Sequence, residues 1–222
     1  MKPLPWSYTA LEDFINCPRS YYEKRVAKSV KEERSEQVIW GEKVHKHFED
    51  RVKSGEKLPT DLAEHETFLA RMAGMPGKKY TERKIALNKK AQPCEFFDKD
   101  VWFRGVIDFT AIHEDKALIM DYKTGKQHNK FQQLRLFALH TFAAYPEVQI
   151  IEGSFYWTKT ASRTSETYFR YKTDEMWAAF IPNLKQYKQA FVEDVWQPRQ
   201  SGLCKQWCPV LSCEFNGKSN RR

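Results

Sequence analysis

Two short stretches concentrate groups that could act on a phosphate ester. Gly105-Val106-Ile107-Asp108 ends an apolar run with a carboxylate, and Leu118-Ile119-Met120-Asp121-Tyr122-Lys123 does the same and adds a lysine two residues on. A carboxylate in an apolar run is costly unless a cation or hydrogen-bond donors satisfy it. Two such oxygens converging suit a hard divalent ion such as Mg²⁺. Residues i and i+2 of a strand share a face, so Asp121 can hold an ion while Lys123 reaches toward the same phosphate. Phosphodiester hydrolysis needs that combination: the ion polarises the phosphoryl oxygen and lowers the pKa of a bound water, and the lysine orients the water or steadies developing charge. Asp-x-Lys alone is a common accident of charged surfaces. The apolar lead-in, the companion run ending at Asp108 and the helical pattern downstream set this one apart.

The elements that must position these groups can be read from periodicity. Val101 to Ile112 is rich in aromatic and β-branched residues and reads as a strand. His113-Glu114-Asp115-Lys116 reads as a turn and Ala117 to Lys123 as the next strand, which sets Asp108 and Asp121 at comparable heights. Tyr80 to Asn88 is an earlier strand; Val148 to Thr158 is a later one, with Thr167 to Tyr171 pairing to it. Helices are expected behind an N-cap at Ser7, over Arg19–Val26, Glu36–Val52, Asp61–Met72, Asn129–Ala144 and Thr173–Val192. Cys17-Pro18 and Gly74-Met75-Pro76-Gly77 break the pattern, and Lys24 to Arg34 is a charge run of the kind that forms a solvated face. On the helix from Glu36, the residues Val38, Gly41, His45, Phe48 and Val52 recur at spacings of three and four, which predicts one shared face. A lone histidine on such a face is more often a hydrogen-bonded core residue than a ligand; the acidic hairpin reverses that reading for His45 and gives no support to His47, His65 or His140.

The order is helices, three strands, helix, strand, helix, which predicts an α/β domain with a mixed central sheet flanked by helices. At 222 residues the chain suits a single domain over 1–222: a helical part at 1–78, a catalytic sheet and helix at 79–172, and a C-terminal helix with an irregular, cysteine-containing tail at 173–222. The formal net charge of +8 suits a polyanionic partner, nucleic acid being the commonest. No apolar run approaches the roughly 18 residues that span a bilayer, and Met1–Trp6 lacks the apolar core of a secretory signal. A reducing, cytoplasmic setting (bacterial cytosol or that of a phage-infected host) is therefore expected, and the odd count of 5 cysteines argues against a disulfide framework.

At these residues the chain resembles the PD-(D/E)XK nucleases, and within them the RecB-like exonucleases, a group with CRISPR-associated, phage-encoded and AddB-type members. The family pattern of Gly-x-x-x-His, Gly-x-hydrophobic-Asp, Asp/Glu-x-Lys and Gln-x-x-x-Tyr is met in order by Gly41-Glu42-Lys43-Val44-His45, Gly105–Asp108, Asp121–Lys123 and Gln133-Leu134-Arg135-Leu136-Phe137. The resemblance implies a restriction-endonuclease-like core, with Mg²⁺ or Mn²⁺ held by His45, Asp108, Asp121 and the backbone carbonyl of Tyr122. It implies Lys123 as the catalytic lysine and Gln133 as a contact to substrate or site. Phe137 stands where the family usually carries tyrosine, so no hydroxyl role is assigned there. Glu82, in Thr81-Glu82-Arg83 on the first strand, is a candidate supporting acid.

The cysteines form a second constellation. Cys17-Pro18-Arg19-Ser20-Tyr21-Tyr22 resembles the N-terminal cysteine segment of the RecB-like iron–sulfur nucleases, and the tail carries Cys204, Cys208 and Cys213. Together they make a Cys₄ set suited to a 4Fe–4S cluster that would clip the N-terminal helices to the C-terminus. The tail spacing is Cys-x₃-Cys-x₄-Cys where the iron–sulfur pattern is Cys-x₂-Cys-x₅-Cys, so zinc on the same thiolates and ordinary reduced cysteines stay open. Cys94 has no companion and reads as structural.

The expected function is a metal-dependent DNase, an exonuclease acting on single strands or duplex ends in recombination, repair, or phage or CRISPR DNA processing. Its expected partners are DNA and proteins of recombination, replication or CRISPR adaptation; no membrane is expected, and the oligomeric state is left open. Aromatic and basic residues interleave at Trp6, Tyr8, Arg19, Tyr21, Tyr22, Lys24 and Arg25 and again at Trp157, Lys159 and Arg163, a composition that suits single strands, although each ring taken singly reads as core. Lys218, Arg221 and Arg222 are candidate phosphate contacts. The rival readings are a catalytically silent DNA-binding module that keeps the fold, and a zinc-bound adaptor whose cysteine tail is the functional part.

Overall fold

The computed structural model describes residues 1–31 and 34–218. Glu32 and Glu33 of the charge run, and Arg221 and Arg222 of the tail, lie outside the described residues. The chain divides into two compact units, Ser35–Trp177 and Met1–Arg34 with Ala178–Arg222.

The first unit is built on five strands: β1 (Lys78–Asn88), β2 (Val101–His113), β3 (Lys116–Lys123), β4 (Ile150–Trp157) and β5 (Ser162–Phe169), in spatial order β1-β2-β3-β4-β5. β3 and β4 run parallel; every other neighbouring pair is antiparallel. The expected mixed sheet is therefore present. Glu114 and Asp115 form the tight link between β2 and β3, with Glu114 at φ 52°. A parallel neighbour needs a crossover element, and the helix Gln132–Ala144 lies between β3 and β4 in the chain.

Two helices precede the sheet in this unit. Glu36–Ser54 starts where the Ser35 hydroxyl accepts the Val38 amide and stops at Gly55, whose φ of 76° only glycine adopts freely. Glu66–Ala73 follows a 3-10 turn, Thr60–His65, in place of the continuous helix expected from Asp61. Val44, Phe48, Leu69 and Met72 of these helices are buried with Phe109, Met120, Tyr122 and Tyr156 of the sheet; full burial of one such apolar side chain contributes about 1.5–3 kcal/mol. The stripe predicted through Val38 is corrected here. Val38 is 48% exposed, and the buried face begins at Val44, where the helix meets that cluster.

The crossover helix lies on the opposite face. Tyr122 packs edge-on against Phe48 at 5.0 Å, while its neighbour Asp121 accepts a hydrogen bond from Gln133; adjacent strand residues point to opposite faces. Two glycines permit the close approach. A Cβ on Gly105 would sit 2.9 Å from Phe137 Cε1, and one on Gly153 would sit 3.2 Å from Leu134 Cβ. Phe137 is thus a core ring seated on Gly105. β5 begins five residues before the expected Thr167 because Trp157 pairs with Ser162 in a hairpin whose polar, alternately exposed residues read locally as loop.

The second unit holds α-helices Tyr8–Asn16 and Pro18–Tyr21, a π-helical turn Tyr22–Val26, and the helix Ile181–Glu193. Phe14, Tyr21, Tyr187, Phe191 and Trp196 form its aromatic core, with the Tyr21 and Tyr187 hydroxyls 2.6 Å apart. The last helix, expected unbroken from Thr173 to Val192, is two: Thr173–Ala178 and Ile181–Glu193. Pro182 sits in the first turn of the second, where its missing N–H is harmless; in a continuous helix it would break a hydrogen bond and clash. No helix among the described residues is long and apolar enough to cross a membrane.

Gly105→Ala should push Phe137 off the sheet and cost about 1–3 kcal/mol, lowering the thermal midpoint by about 2–8 °C. Gly125→Ala, where an added Cβ meets nothing within 4 Å, is the control and should leave the midpoint in place. Differential scanning calorimetry of the two variants checks this.

Candidate active site

The β2–β3 ladder ends at Phe109↔Met120, so Asp108 and Asp121 are the next pair beyond it, where the strands part. Both carboxylates are buried, at 6% and 4% exposure. Asp108 turns back across the gap: its Oδ2 accepts the Tyr122 amide at 2.6 Å, which occupies one oxygen and leaves Oδ1 facing His45 Nδ1 at 3.4 Å. His45 enters from the Glu36–Ser54 helix, its Nε2 3.1 Å from the Tyr122 carbonyl oxygen and its Nδ1 3.6 Å from Glu82 Oε1. One turn earlier on the same helix, a Cβ at Gly41 would lie 3.4 Å from Thr124 Oγ1, an ordinary contact.

Glu82 stands closer to the centre than its expected supporting place. Thr81 pairs with Phe109 and Arg83 with Ile107, but the ladder skips Glu82 opposite Asp108, and Glu82 takes a φ of 45°. A non-glycine residue in that region is strained unless its surroundings hold it there, and such strain concentrates at functional sites. The distortion delivers the carboxylate to the cluster. His45, Glu82 and Asp108 offer ligand atoms all within 4.8 Å of one another, the one such group among the described residues.

Asp121 is engaged differently. Its Oδ2 lies 2.6 Å from Lys123 Nζ; the contact is an ion pair, without the alignment of a hydrogen bond. Gln133 donates from Nε2 to Asp121 Oδ1 at 2.6 Å and accepts from Lys123 Nζ at its Oε1, 2.8 Å away. The three side chains close a ring that fixes the lysine. Lys123 Nζ also sits 5.2 Å from the centroid of the Phe155 ring. Every residue expected at the acidic site is therefore in one place: His45, Glu82, Asp108, Asp121, Tyr122, Lys123 and Gln133. His65, set aside, is buried and bonded to the Tyr156 hydroxyl at 2.9 Å. His140 is also buried.

The charge balance of the cluster points outward. Burial, then the neighbouring Asp121 charge, push the Asp108 carboxyl up to about 6, against the opposing pull of His45. Burial disfavours a charged His45, but its contacts with Asp108 and Glu82 outweigh it and raise the imidazole to about 10. The acids thus draw a positive charge onto the nearest group able to carry one. Glu82 Oε1 is buried without a hydrogen bond. An unsatisfied carboxylate oxygen beside two more acids and an imidazole is the donor set of a hard divalent cation, so the residues fit an ion of the Mg²⁺ or Mn²⁺ type.

Cys17, Cys204, Cys208 and Cys213 belong to the second unit. Cys17 caps the Pro18–Tyr21 helix, its sulfur accepting the Ser20 amide at 3.5 Å and the Arg199 amide at 3.4 Å, and Cys204 Sγ accepts the Ser201 amide at 3.4 Å. Cys213 is within electrostatic reach of both Cys17 and Cys208, and burial raises its thiol. All four are free thiols, as is Cys94. The interleaved rings settle into cores: Trp6, Tyr21 and Trp157 are buried. Arg25 pairs with Asp13 at 2.5 Å, and Arg163 pairs with Glu152.

A family model described as the PD-(D/E)XK nuclease superfamily matches residues 5–213. Among solved structures, a presumed exonuclease from Eubacterium rectale aligns over 98% of this chain and 88% of its own, with a TM-score of 0.53 at 14% identity. At that identity the likeness is one of fold. The protein SSO0001 aligns over 96% of this chain and 87% of its own, with a TM-score of 0.49 at 11% identity. No curated protein matches.

If these donors hold a cation, Mn²⁺ should raise the thermal midpoint by mass action, by about 2.7 kcal/mol of stability at a hundred times its Kd. Asp108→Asn should remove that shift while the metal-free protein still unfolds cooperatively. A midpoint that rises equally in both proteins would place the ion elsewhere.

Proposed function

The chain belongs to the PD-(D/E)XK nuclease superfamily, and on that footing we propose that it is a divalent-metal-dependent deoxyribonuclease of the RecB-like branch, an exonuclease acting on DNA ends or single strands. The observation that carries this reading is the ring of Asp121, Lys123 and Gln133 set beside the His45, Glu82 and Asp108 cluster. His45, Asp108, Asp121 and the Tyr122 carbonyl are the proposed ligands, with Glu82 promoted from supporting acid to a further one.

The ion supplies Lewis acidity toward the scissile phosphate. The remaining work falls to the protein. Lys123, tethered by Asp121 and Gln133, presents an ammonium that cannot swing away; it steadies charge developing on the phosphoryl oxygens and orients the attacking water. Gln133 sets the lysine's position from the crossover helix, so the helix and the sheet together hold the reacting groups in register. The net charge of +8 favours approach of a polyanion. Intact acids and lysine favour catalysis over silent DNA binding, and nothing comparable favours an adaptor.

We further propose that Cys17, Cys204, Cys208 and Cys213 hold a metal, a 4Fe–4S cluster in preference to zinc. Support comes from their membership in one unit and from the backbone amides aimed at Cys17 and Cys204, since hydrogen bonds to sulfur stabilise thiolate ligands. Anaerobically purified protein should then absorb near ~400 nm, and Cys204→Ser should bleach it. A colourless protein with stoichiometric zinc would replace the cluster with zinc, and neither metal would remove the proposal.

Asp121→Ala and Lys123→Ala should each lower cleavage of end-labelled DNA in Mg²⁺ or Mn²⁺ by at least about 10²–10³-fold, with far-UV circular dichroism unchanged. Full activity in both folded variants would reject the site. Retention of DNA by the parent chain without any product would favour the silent module.

A further inference from the structure

A cavity of about 480 Å³ opens beside β1. Its size is in the range of small-ligand sites. Consecutive residues of the strand serve the two places: Glu82 reaches the metal cluster, and Arg83 lines this cavity. Lys84, Phe96, Phe97 and His140 also line it, and Glu95 is the one carboxylate on its wall.

Three features make this more than a surface dent. The first is charge. Arg83 and Lys84 are on the wall and Arg104 is beside it, and none of the three forms an ion pair with a carboxylate among the described residues. The second is an aromatic platform. Phe96 and Phe97 meet edge to face at 5.0 Å; Lys84 Nζ stands 5.7 and 5.8 Å from their centroids and Arg104 Cζ 5.3 and 5.5 Å. Even so, Phe97 remains 76% exposed. The third is unsatisfied polarity. His140 is 4% exposed, yet its Nδ1 has no hydrogen-bond partner, and Arg104 Nε is buried without one. Burial, with the Arg83 charge adding to it, holds the His140 imidazole down to about 3, so it offers a neutral donor or acceptor. Buried polar atoms left without partners are rare in folded proteins.

An exposed ring near two cations that carry no carboxylate partner, in a cavity whose wall also holds a buried polar side chain, matches a planar base joined to a phosphate. We propose that this cavity binds one nucleotide unit, its base stacked on Phe97 and its phosphate held by Lys84 and Arg104, with His140 Nδ1 as the polar contact within. The source of the nucleotide rests on the reading of the chain as a DNA nuclease: it is either a free mononucleotide, as an exonuclease releases, or a nucleotide within a single strand held away from the cut. Stacking on a ring with a flanking positive charge is the general mode of single-strand binding.

The test uses the full chain in EDTA, so that nothing is cleaved. Calorimetry with dAMP and fluorescence anisotropy with a 5′-fluorescein dodecathymidylate are measured for the parent, Phe97→Ala and Lys84→Ala. Phe97 is exposed and Lys84 is not part of the acidic cluster, so both variants should fold. Each should weaken binding about tenfold. A loss with the oligonucleotide alone assigns the cavity to a held strand; a loss with both probes assigns it to the free mononucleotide as well. The inference is overturned if the parent binds neither probe, or if both variants bind both probes as the parent does. Lys123→Ala separates the two readings: it should abolish cleavage and keep both affinities, so a failed cavity leaves the nuclease standing and an inactive parent leaves the cavity standing.

Discussion

Two carboxylates buried side by side, where the β2 and β3 strands part, set the terms for everything around them. Buried carboxylates need polar partners, and those of Asp108 and Asp121 come from β3 and from two helices. Asp108 takes the Tyr122 amide and faces the imidazole of His45. Asp121 takes the Lys123 ammonium and the Gln133 amide. One helix on each face of the sheet is thereby committed to the same few ångströms. Gly105 and Gly153, against which Phe137 and Leu134 of the crossover helix pack, are structural conditions for that arrangement.

The parts of this arrangement that were legible in the amino-acid sequence are those encoded by short-range pattern. A strand, a tight turn and a strand place Asp108 opposite Asp121 by alternation alone, and Lys123 shares the face of Asp121 for the same reason. His45 and Gln133 needed the family resemblance, because no local rule says which histidine or which glutamine meets the sheet. The rank of Glu82 was not legible. Its position depends on a skipped ladder pair and a left-handed backbone, both of which are tertiary features of β1 against β2. Thr81-Glu82-Arg83 looks like any polar strand end.

Other departures share that cause. Val38 falls on the predicted apolar face, but the tertiary cluster that would bury it begins two turns later at Val44. The interleaved aromatic and basic residues near the N-terminus look like a nucleic-acid surface in one dimension. In three, Trp6 and Tyr21 are core and Arg25 is already paired with Asp13. Lys84 on β1, Phe97 in the loop that follows and Arg104 on β2 are spread over about twenty residues and form no sequence pattern at all. Pro182 was the exception: its meaning for the last helix was local and available, and the strength of the surrounding helical periodicity masked it.

The irregularity at Glu82 has a consequence outside the chemistry. β1 is an outer strand of the sheet, with one neighbour, β2. A long, regular outer strand is an invitation to pair with another chain, and proteins guard such strands with local backbone distortions and lysines. β1 carries both, since its left-handed residue falls mid-strand and Lys78, Lys79 and Lys84 lie along it. The departure from regular geometry that aims a carboxylate at the acidic cluster also makes the strand a poor template for intermolecular sheet growth. A variant that regularised β1 would face selection on solubility as well as on catalysis.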